Sequence, residues 1–310
     1  MPFTEVEKCI VQTIIYFNIF DFPLTSWEVY KNLWQPEGKY TFREVTTTLD
    51  NLVKKKTLGI NEGFYFLKRK DNPVAIRKQK YLLAQSKMKV AKRAIKLIYH
   101  LPFIRAIFVC NNLAYQNANQ ESDIDLAIIT KKNRLWTARF FSTLLMKIMK
   151  KRPTKNNHKN KICLSFYIAD NHLNLEKLAY PDDIHFIYWV KQFLLVSPNN
   201  KTVKNFQDSN FWTNKHLPNL KLVKTTRRWV VTSCCKCKTG VELILLNPLG
   251  SLLEKTLKKL QLKLMPKHLL QMNKEQNSNV VINDKILKFH DKDKRQEIKQ
   301  KWTNSCKHLK

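Results

Sequence analysis

The chain has 310 residues, of which 44% are hydrophobic and 11% aromatic. This composition argues against global disorder, and the length fits two or three domains. Lysine and arginine number 56 against 24 aspartates and glutamates, a formal net charge of +32. The positive electrostatic potential of such a chain favours the binding of polyanions such as RNA, DNA or nucleoside triphosphates. A lysine-rich solvated surface would give the same charge pattern. The presence of only 5 glycines argues against the glycine-rich phosphate loops of Rossmann and P-loop proteins.

The cysteine content points to a reducing compartment. The 7 cysteines are an odd number, and no secretory signal stands at the N-terminus, so we expect a cytoplasmic protein without a disulfide scaffold. Residues 234–237, Cys-Cys-Lys-Cys, lack a second pair of ligands at zinc spacing, and we do not predict a zinc site there. Cysteines within apolar runs are predicted to lie in the core: Cys9, Cys110 and Cys163.

No apolar run reaches the roughly 18 residues that a membrane span requires, so no membrane partner is expected. The two longest candidates, residues 187–196 and 241–253, are interrupted by Lys191 in the first and by Glu242 and Pro248 in the second. Both are predicted to be core helices.

Residues 1–70 have the pattern of a winged helix. Three helix starts place a threonine three residues before a glutamate, the capping-box spacing: Thr4–Glu7, Thr25–Glu28 and Thr41–Glu44. Lysines at 54–56 follow the third helix, and residues 58–67 form two short apolar segments with a turn at 61–63, which predicts a hairpin. A winged helix would place its third helix and these lysines against nucleic acid, although such domains also serve as packing or dimerisation modules.

Residues 71–200 alternate helical and extended patterns and are predicted to form a second domain with a small mixed β-sheet. A long basic helix with one apolar side is expected at 73–100, and a shorter helix at 135–149. The apolar run at 104–109, interrupted only by Arg105, predicts a buried strand, and residues 123–129 and 162–168 are predicted as a second and a third strand.

Residues 201–310 are predicted to be mostly helical. The region contains an amphipathic helical pattern at 241–265 and one extended segment at 280–289, which turns at Asn283-Asp284 and precedes a basic helix. The predicted fold class is therefore α+β, in three successive regions.

The segment Ser122–Ile129 carries the clearest chemical signal. Because side chains alternate along a strand, Asp123 and Asp125 share one face while Ile124 and Leu126 point to the core. Two neighbouring carboxylates at the start of a hydrophobic strand are unfavourable unless a cation neutralises them. Two Mg²⁺ ions can bridge such carboxylates and triphosphate oxygens, so the pattern predicts a divalent-metal site at this pair.

The arrangement around this pair resembles the polymerase-beta-like nucleotidyltransferases. That family has a Gly-Ser pair after one strand and an Asp-x-Asp motif on the next, and residues 104–130, IRAIFVCNNLAYQNANQESDIDLAIIT, follow this order. The wider chain resembles bacterial proteins with a winged helix ahead of such a domain. The stretches that carry this wider resemblance are YFNIFDFPLT (16–25), RLWTAR (134–139), KICLSF (161–166) and KFH (288–290).

The resemblance implies that residues 71–200 are a magnesium-dependent nucleotidyltransferase domain. An acceptor oxygen would attack the α-phosphorus of a nucleoside triphosphate and release pyrophosphate. Asp123 and Asp125 match the family's catalytic metal ligands, and Asp125 would bridge two Mg²⁺ ions. The residues expected to bind the nucleotide are Asn111 and Asn112 at the Gly-Ser position, Ser122, and the cations Lys131, Lys132 and Arg134.

Two features depart from the family pattern. Asparagine tolerates a left-handed backbone but does not match glycine for close backbone approach to phosphate. The third carboxylate, which can act as general base, has no clear counterpart, because strand 162–168 offers only Ser165 and Tyr167, and Asp170 lies beyond its end. Loss of a base lowers a rate by roughly 10²–10⁴.

Two hypotheses therefore stay open. The chain is a nucleotidyltransferase of weakened activity with an unknown acceptor, or it is a catalytically inactive protein of the same fold that binds nucleic acid through its basic surface. Nucleic-acid binding should fall steeply with salt, which separates the two.

Overall fold

The fold is α+β, with a three-stranded and a six-stranded sheet in the described part of the chain. The computed structural model describes residues 2–68, 71–154, 156–197, 200–221, 228–231, 236–275 and 278–309. The side chains of the 234–237 cysteine cluster lie outside this description.

The N-terminal part combines three helices with a small antiparallel sheet. Its elements are α1 (Glu5–Asn18), β1 (Leu24–Thr25), α2 (Ser26–Lys31), α3 (Phe42–Lys54), β2 (Leu58–Asn61) and β3 (Phe64–Leu67). β3 lies between β1 and β2 and pairs with both. The hairpin predicted at 58–67 is therefore confirmed, and β1 adds a third strand to it.

All three helices of this part begin with the capping box that the sequence predicts. In α1, the Thr4 hydroxyl accepts a hydrogen bond from the Glu7 backbone, and the Glu7 carboxylate accepts one from the Thr4 backbone at 2.9 Å. Thr25 with Glu28 and Thr41 with Glu44 repeat the arrangement. The exchange satisfies backbone N–H groups that a helix start leaves without partners.

The N-terminal part shares its core with later segments of the chain. Tyr16 on α1 stacks on Tyr188 with ring centroids 4.2 Å apart, and the Tyr188 hydroxyl donates to the Asn32 carbonyl at 2.6 Å. Ile298 and Leu309, from the end of the chain, belong to the same buried cluster. These contacts join the N-terminal part to the segments around Tyr188 and Ile298.

The larger sheet is mixed and draws its strands from two separate segments. The elements of the first segment are α4 (Pro73–Tyr99), β4 (Ile104–Val109), α5 (Asn111–Ala114), β5 (Ile124–Thr130), α6 (Leu135–Ile148), β6 (Ile162–Ala169), α7 (Ile184–Lys191), β7 (Leu194–Leu195) and α8 (Asn200–Ser209). The helices and strands predicted between residues 73 and 169 are confirmed to within a residue or so at each end. Residues 187–196 are buried as predicted, but Leu194–Leu195 leave the helix and pair with β4.

The second segment completes the sheet. Its elements are α9 (Lys236–Ile244), α10 (Pro248–Lys263), α11 (Lys267–Lys274), β8 (Val280–Ile282), β9 (Ile286–Phe289) and α12 (Arg295–Cys306), and short 3₁₀ turns lie at Glu176–Leu178, Phe211–Lys215 and Lys307–Leu309. The strand order is β7-β4-β5-β6-β9-β8, with β5 and β6 parallel and the other pairs antiparallel. The extended segment predicted at 280–289 is thus a hairpin of the central sheet, which extends beyond residue 200.

Helices cover both faces of this sheet. Leu126 and Ile128 of β5 point to the face packed against α4 and α6, whereas Ala127 and Ile129 point to the face packed against α7 and α8. Because side chains two residues apart on a strand point to the same face, the Asp125 side chain lies on the same side of the sheet as Ala127. It therefore points to the face packed against α7, at the end where β5 begins.

The amphipathic pattern at 241–265 forms two helices instead of the one predicted. α9 ends at Ile244, and α10 starts after Asn247, whose side chain accepts a hydrogen bond from the Gly250 backbone at 3.0 Å. Pro248 occupies the first turn of α10, where its missing N–H and fixed φ suit a helix start. The interruption follows from this local cap and proline.

The prediction that residues 241–253 are a core helix is wrong. Leu243, Ile244, Leu249 and Leu252 are between 62% and 70% exposed. The alternation of apolar and polar residues marks an apolar face, but whether another element covers that face depends on tertiary packing. Among the helices of the described ranges, none has the length and apolarity needed to cross a bilayer.

Gly250 gives a test of this helix junction. An ideal Cβ at position 250 would lie 1.8 Å from the Leu245 carbonyl oxygen, so we expect Gly250→Ala to lower the free energy of unfolding by about 1–3 kcal/mol. Gly240→Ala is the matched control, because a Cβ there meets nothing within 4 Å, and it should stabilise the helix by roughly 0.5–1 kcal/mol. Urea unfolding measures both. Equal effects of the two variants would contradict the close packing at Gly250.

Candidate functional site

A cavity of about 630 Å³ opens where β5 begins. Its wall is formed by the end of α1, by α5, by the first residues of β5 and β6, by α7, and by the segment that runs from β9 into α12. Of the sequence-predicted site residues, those on its wall are Asp123, Asp125, Asn111, Asn112 and Ser122.

Asp123, Asp125 and Cys163 converge on one side of this cavity. The parallel pairing of β5 and β6 sets Asp125 opposite Cys163. One ligand atom from each of the three side chains lies within 4.8 Å of the other two. Cys163 was predicted to be a core residue, and that prediction is wrong, because its side chain is half-buried and lines the cavity beside the carboxylates. Cys9 and Cys110 are buried as predicted.

The carboxylate pair is electrostatically unfavourable without a cation. Burial raises the pKa of Asp125 to about 6, and the neighbouring Asp123 charge adds to this rise. Hydrogen bonds from Asn111 and Cys163 oppose the increase without cancelling it. Burial, together with these carboxylates, also raises the pKa of the Cys163 thiol. Asp125 and Cys163 both disfavour their anionic forms here, and a bound cation would relieve that cost.

The donor atoms fit a divalent cation. Mg²⁺ commonly binds to one or two carboxylates and takes its remaining ligands from water and substrate phosphates, so Asp123 and Asp125 suffice as protein ligands. The Cys163 thiol is a soft donor that Mg²⁺ does not prefer. It acts here as a hydrogen-bond partner of Asp125 and lies beside the carboxylate pair.

Asn111, the first residue of α5, links this helix to the carboxylate pair. Its backbone φ is +55°, a left-handed value that asparagine tolerates better than most residues. Trp189 of α7 donates its indole N–H to the Asn111 side-chain oxygen at 2.6 Å, and the Asn111 side chain also hydrogen-bonds to Asp125. The side-chain oxygen of Asn112 accepts from the Tyr115 hydroxyl at 2.7 Å. Asparagine at these positions is therefore part of an ordered network.

Lys87 of α4 holds the end of the loop that leads into Asp123. Lys87 is 2% exposed, and its ammonium group donates to the carbonyls of Gln120 and Ser122 at 3.0 and 2.6 Å and to the Asn160 side chain at 3.1 Å. Burial lowers the pKa of Lys87, and the charges of Asp123 and Glu121 oppose that decrease. A buried amine that bonds two carbonyls positions the backbone immediately before the carboxylate pair.

The three cations predicted to neutralise phosphate lie at the opposite end of β5. Lys131 is six residues beyond Asp125, about 20 Å along an extended strand. Lys132 is exposed there, and its backbone donates to Asp170 at 2.9 Å. Arg134 is buried and donates to the Leu245 carbonyl at 3.1 Å. Their position gives no support to a phosphate-binding role.

The polar groups considered for a catalytic base are also separated. The Tyr167 hydroxyl bonds Ser142 of α6 at 2.7 Å, on the face away from the cavity. Asp170 lies beside Lys132 at the far end of β5. Ser165 alone of the three lines the cavity, where its hydroxyl is 3.4 Å from Nε2 of His290.

The segment after β9 supplies site residues to which sequence reasoning assigned no role. Lys292 and Lys294 line the cavity and are exposed, and so can meet an anionic ligand. His290 faces Ser165, and burial lowers its pKa to about 3, which keeps its ring neutral. The KFH stretch at 288–290 was the available signal, but nothing local to it shows that β9 pairs with β6.

Buried ion pairs hold this segment in place. Arg295 donates to Asp293 at 2.7 Å and to Asp183 at 2.9 Å, and the Lys288 ammonium lies 3.1 Å from Asp293. All four side chains are no more than 5% exposed. Two cations with two carboxylates leave little net charge, so the cluster anchors the cavity wall while Lys292 and Lys294 stay available.

Comparison with known proteins leaves the function to be argued from this site. No protein-family model matches the chain, and no curated protein or solved structure does.

Lys87→Met tests how the loop is positioned. The variant keeps an unbranched side chain but leaves two buried carbonyls without their donor, so the free energy of unfolding should fall by about 1–3 kcal/mol. Lys89→Met, at an exposed position of the same helix, should change it by less than about 0.5 kcal/mol. Chemical denaturation gives both values. Similar stability of the two variants would show that Lys87 does not hold the loop.

The Asp125 pKa predicts a pH-dependent gain in stability on mutation. At pH 7.5 the half-buried Asp125 carboxylate is charged beside Asp123, so Asp125→Asn should raise the free energy of unfolding by about 1 kcal/mol in metal-free buffer. Below pH 6 the wild-type carboxyl takes up a proton, its unfavourable charge disappears, and the difference should shrink. Asp208→Asn, an exposed control, should show no such trend. A pH-independent difference would contradict the raised pKa.

Proposed function

We propose that the chain is a divalent-metal-dependent nucleotidyltransferase that transfers a nucleoside monophosphate from a triphosphate to an unidentified acceptor. The observation that carries the proposal is the convergence of Asp123 and Asp125 at the wall of a 630 Å³ cavity with exposed lysines on its rim. Ligand pockets usually measure about 300–1,000 Å³, so the space suits a nucleotide.

Asp123 and Asp125 would hold the metal in this reaction. A bound Mg²⁺ pair would neutralise triphosphate oxygens and the charge that develops on the leaving pyrophosphate. The carboxylates gain from this binding, because the cation offsets the repulsion that raises the pKa of Asp125. Asn111 keeps Asp125 oriented through its side-chain hydrogen bond.

The rest of the cavity would position the triphosphate. Lys292 and Lys294 are exposed on the rim and can pair with phosphate oxygens. Asn112 and Ser122 line the same wall; the Asn112 amide offers a neutral hydrogen-bond donor, whereas the Ser122 hydroxyl donates to the Asn119 carbonyl at 2.9 Å. Within the described residues, no third carboxylate joins the Asp123–Asp125 cluster, and Cys163 occupies the neighbouring position. Transfer is therefore expected to be slow, by the roughly 10²–10⁴ that a general base contributes.

We also propose that residues 2–68 are a winged helix. Three capped helices followed by the β2–β3 hairpin support this. The polar side of α3 exposes Arg43, Thr47 and Lys54, as suits a helix that meets nucleic acid. This surface and the net charge of +32 favour the second candidate, a catalytically inactive protein that binds nucleic acid.

Calorimetric titration of ATP and the other nucleoside triphosphates, with and without Mg²⁺, tests the enzyme proposal without knowledge of the acceptor. We expect metal-dependent binding to the wild type and none to Asp123→Asn/Asp125→Asn, which lacks both metal ligands. Lys292→Ala/Lys294→Ala should bind roughly 30-fold more weakly, because the variant loses two phosphate contacts that contribute roughly 1 kcal/mol each.

The matched control is Asp182→Asn/Asp208→Asn, which removes two exposed carboxylates outside the cavity. It therefore has the same net charge as Asp123→Asn/Asp125→Asn. It should bind like the wild type. If the folded wild type binds no triphosphate, or if the control loses binding equally, the nucleotidyltransferase proposal fails. Binding of single-stranded RNA that weakens steeply with salt and survives the Asp123→Asn/Asp125→Asn change would then favour the second candidate.

A further inference from the structure

The surface of α9 and α10 exposes an unusual concentration of large apolar side chains. Eight of them lie within 24 consecutive residues and together form what we call the leucine face: Val241 (43% exposed), Leu243 (66%), Ile244 (69%), Leu246 (41%), Leu249 (70%), Leu252 (62%), Leu260 (41%) and Leu264 (73%). Scattered exposed leucines need no explanation, but a group of this size on two successive helices marks an interaction surface.

Polar contacts fix the orientation of α10, so the helix does not bury this face by rotation. Glu254, on its inner side, accepts hydrogen bonds from the backbones of Trp136 and Thr137, both at 2.8 Å. Gln261, also on the inner side, donates to the Trp136 carbonyl at 2.9 Å and accepts from Arg139 at 2.6 Å. The leucine face therefore points away from α6.

The charges next to the leucine face are all positive. Lys255, Lys259 and Lys263 are exposed on α10 at i, i+4 spacing, which aligns them along one border of the leucine row. Between residues 236 and 274 the chain has only two carboxylates, Glu242 and Glu254. Glu242 pairs with Arg105 at 2.7 Å, and Glu254 binds the start of α6, so both are turned inward.

Leucines bordered by lysines, without outward carboxylates, match one kind of partner. Nucleic acid would use the lysines but leave the leucines in water. A second copy of the chain would cover the leucines but bring two sets of lysines together. An anionic phospholipid surface accommodates both, because the leucines enter the boundary of the acyl region while the lysine stems extend to the headgroups.

We propose that the leucine face binds peripherally to the surface of a bilayer that contains anionic phospholipids. The sequence predicts no membrane partner, because it has no apolar run long enough to span a bilayer. Peripheral binding requires no such segment. The proposal stands independently of the nucleotidyltransferase proposal.

Co-sedimentation of the full chain with vesicles tests the proposal. We expect binding to vesicles of phosphatidylcholine mixed with phosphatidylserine, and about tenfold weaker binding to phosphatidylcholine alone. Leu249→Gln/Leu252→Gln/Leu264→Gln should reduce binding to the mixed vesicles at least about tenfold, and circular dichroism should show an unchanged fold, because these side chains are exposed.

Two further variants separate apolar from charged contributions. Leu82→Gln/Leu97→Gln/Phe211→Gln removes three exposed apolar side chains elsewhere and should bind like the wild type. Lys255→Gln/Lys259→Gln/Lys263→Gln should lose the preference for phosphatidylserine. If the triple leucine variant does not fold, Leu249→Gln alone should still reduce binding.

Three results would overturn the proposal. The first is a wild type that sediments with neither kind of vesicle. The second is an equal loss of binding in the Leu82→Gln/Leu97→Gln/Phe211→Gln control. The third is a wild type that is a dimer in analytical ultracentrifugation and binds no vesicles, while the triple leucine variant is a monomer. The leucine face would then serve self-association.

Discussion

The repulsion between the Asp123 and Asp125 carboxylates is the constraint on which the surrounding structure depends. A β-strand forces side chains at i and i+2 to the same face, so the two charges lie together and partly out of water. Their neighbours act to hold the pair in place: Asn111 donates to Asp125, and Lys87 bonds the backbone just before Asp123. The fold maintains an arrangement that carries an electrostatic cost without a cation, which is typical of functional sites.

The cavity around this pair depends on the end of the chain. The β8–β9 hairpin adds to β6, and the Asp183–Arg295–Asp293–Lys288 cluster anchors the segment that follows. Breaking one partner of a buried ion cluster leaves an uncompensated charge, so this contact is strongly specified. It brings Lys292 and Lys294 to the rim, more than 160 residues beyond the carboxylates in sequence.

The lysines of the chain have different roles at different positions. Lys87 and Lys288 are buried and bond backbone carbonyls, whereas Lys292 and Lys294 stand at the cavity rim. The lysines of α10 border an exposed apolar face. A net charge of +32 therefore does not identify one partner, because its local setting decides whether a lysine holds the fold, meets an anionic ligand or faces a surface.

Local features of the sequence determined much of the fold. Capping boxes, apolar periodicity and turn residues placed the N-terminal helices, the β2–β3 hairpin and strands β4 to β6, because these signals depend on interactions over a few residues. The same alternation put Asp123 and Asp125 on one face. The position of Cys163 beside them, the distance of Lys131 and Arg134 from them, and the exposure of the α9–α10 apolar residues were decided only by tertiary structure. Each depends on which strand pairs with which and on which helix covers a face, and such contacts join residues that no local pattern relates.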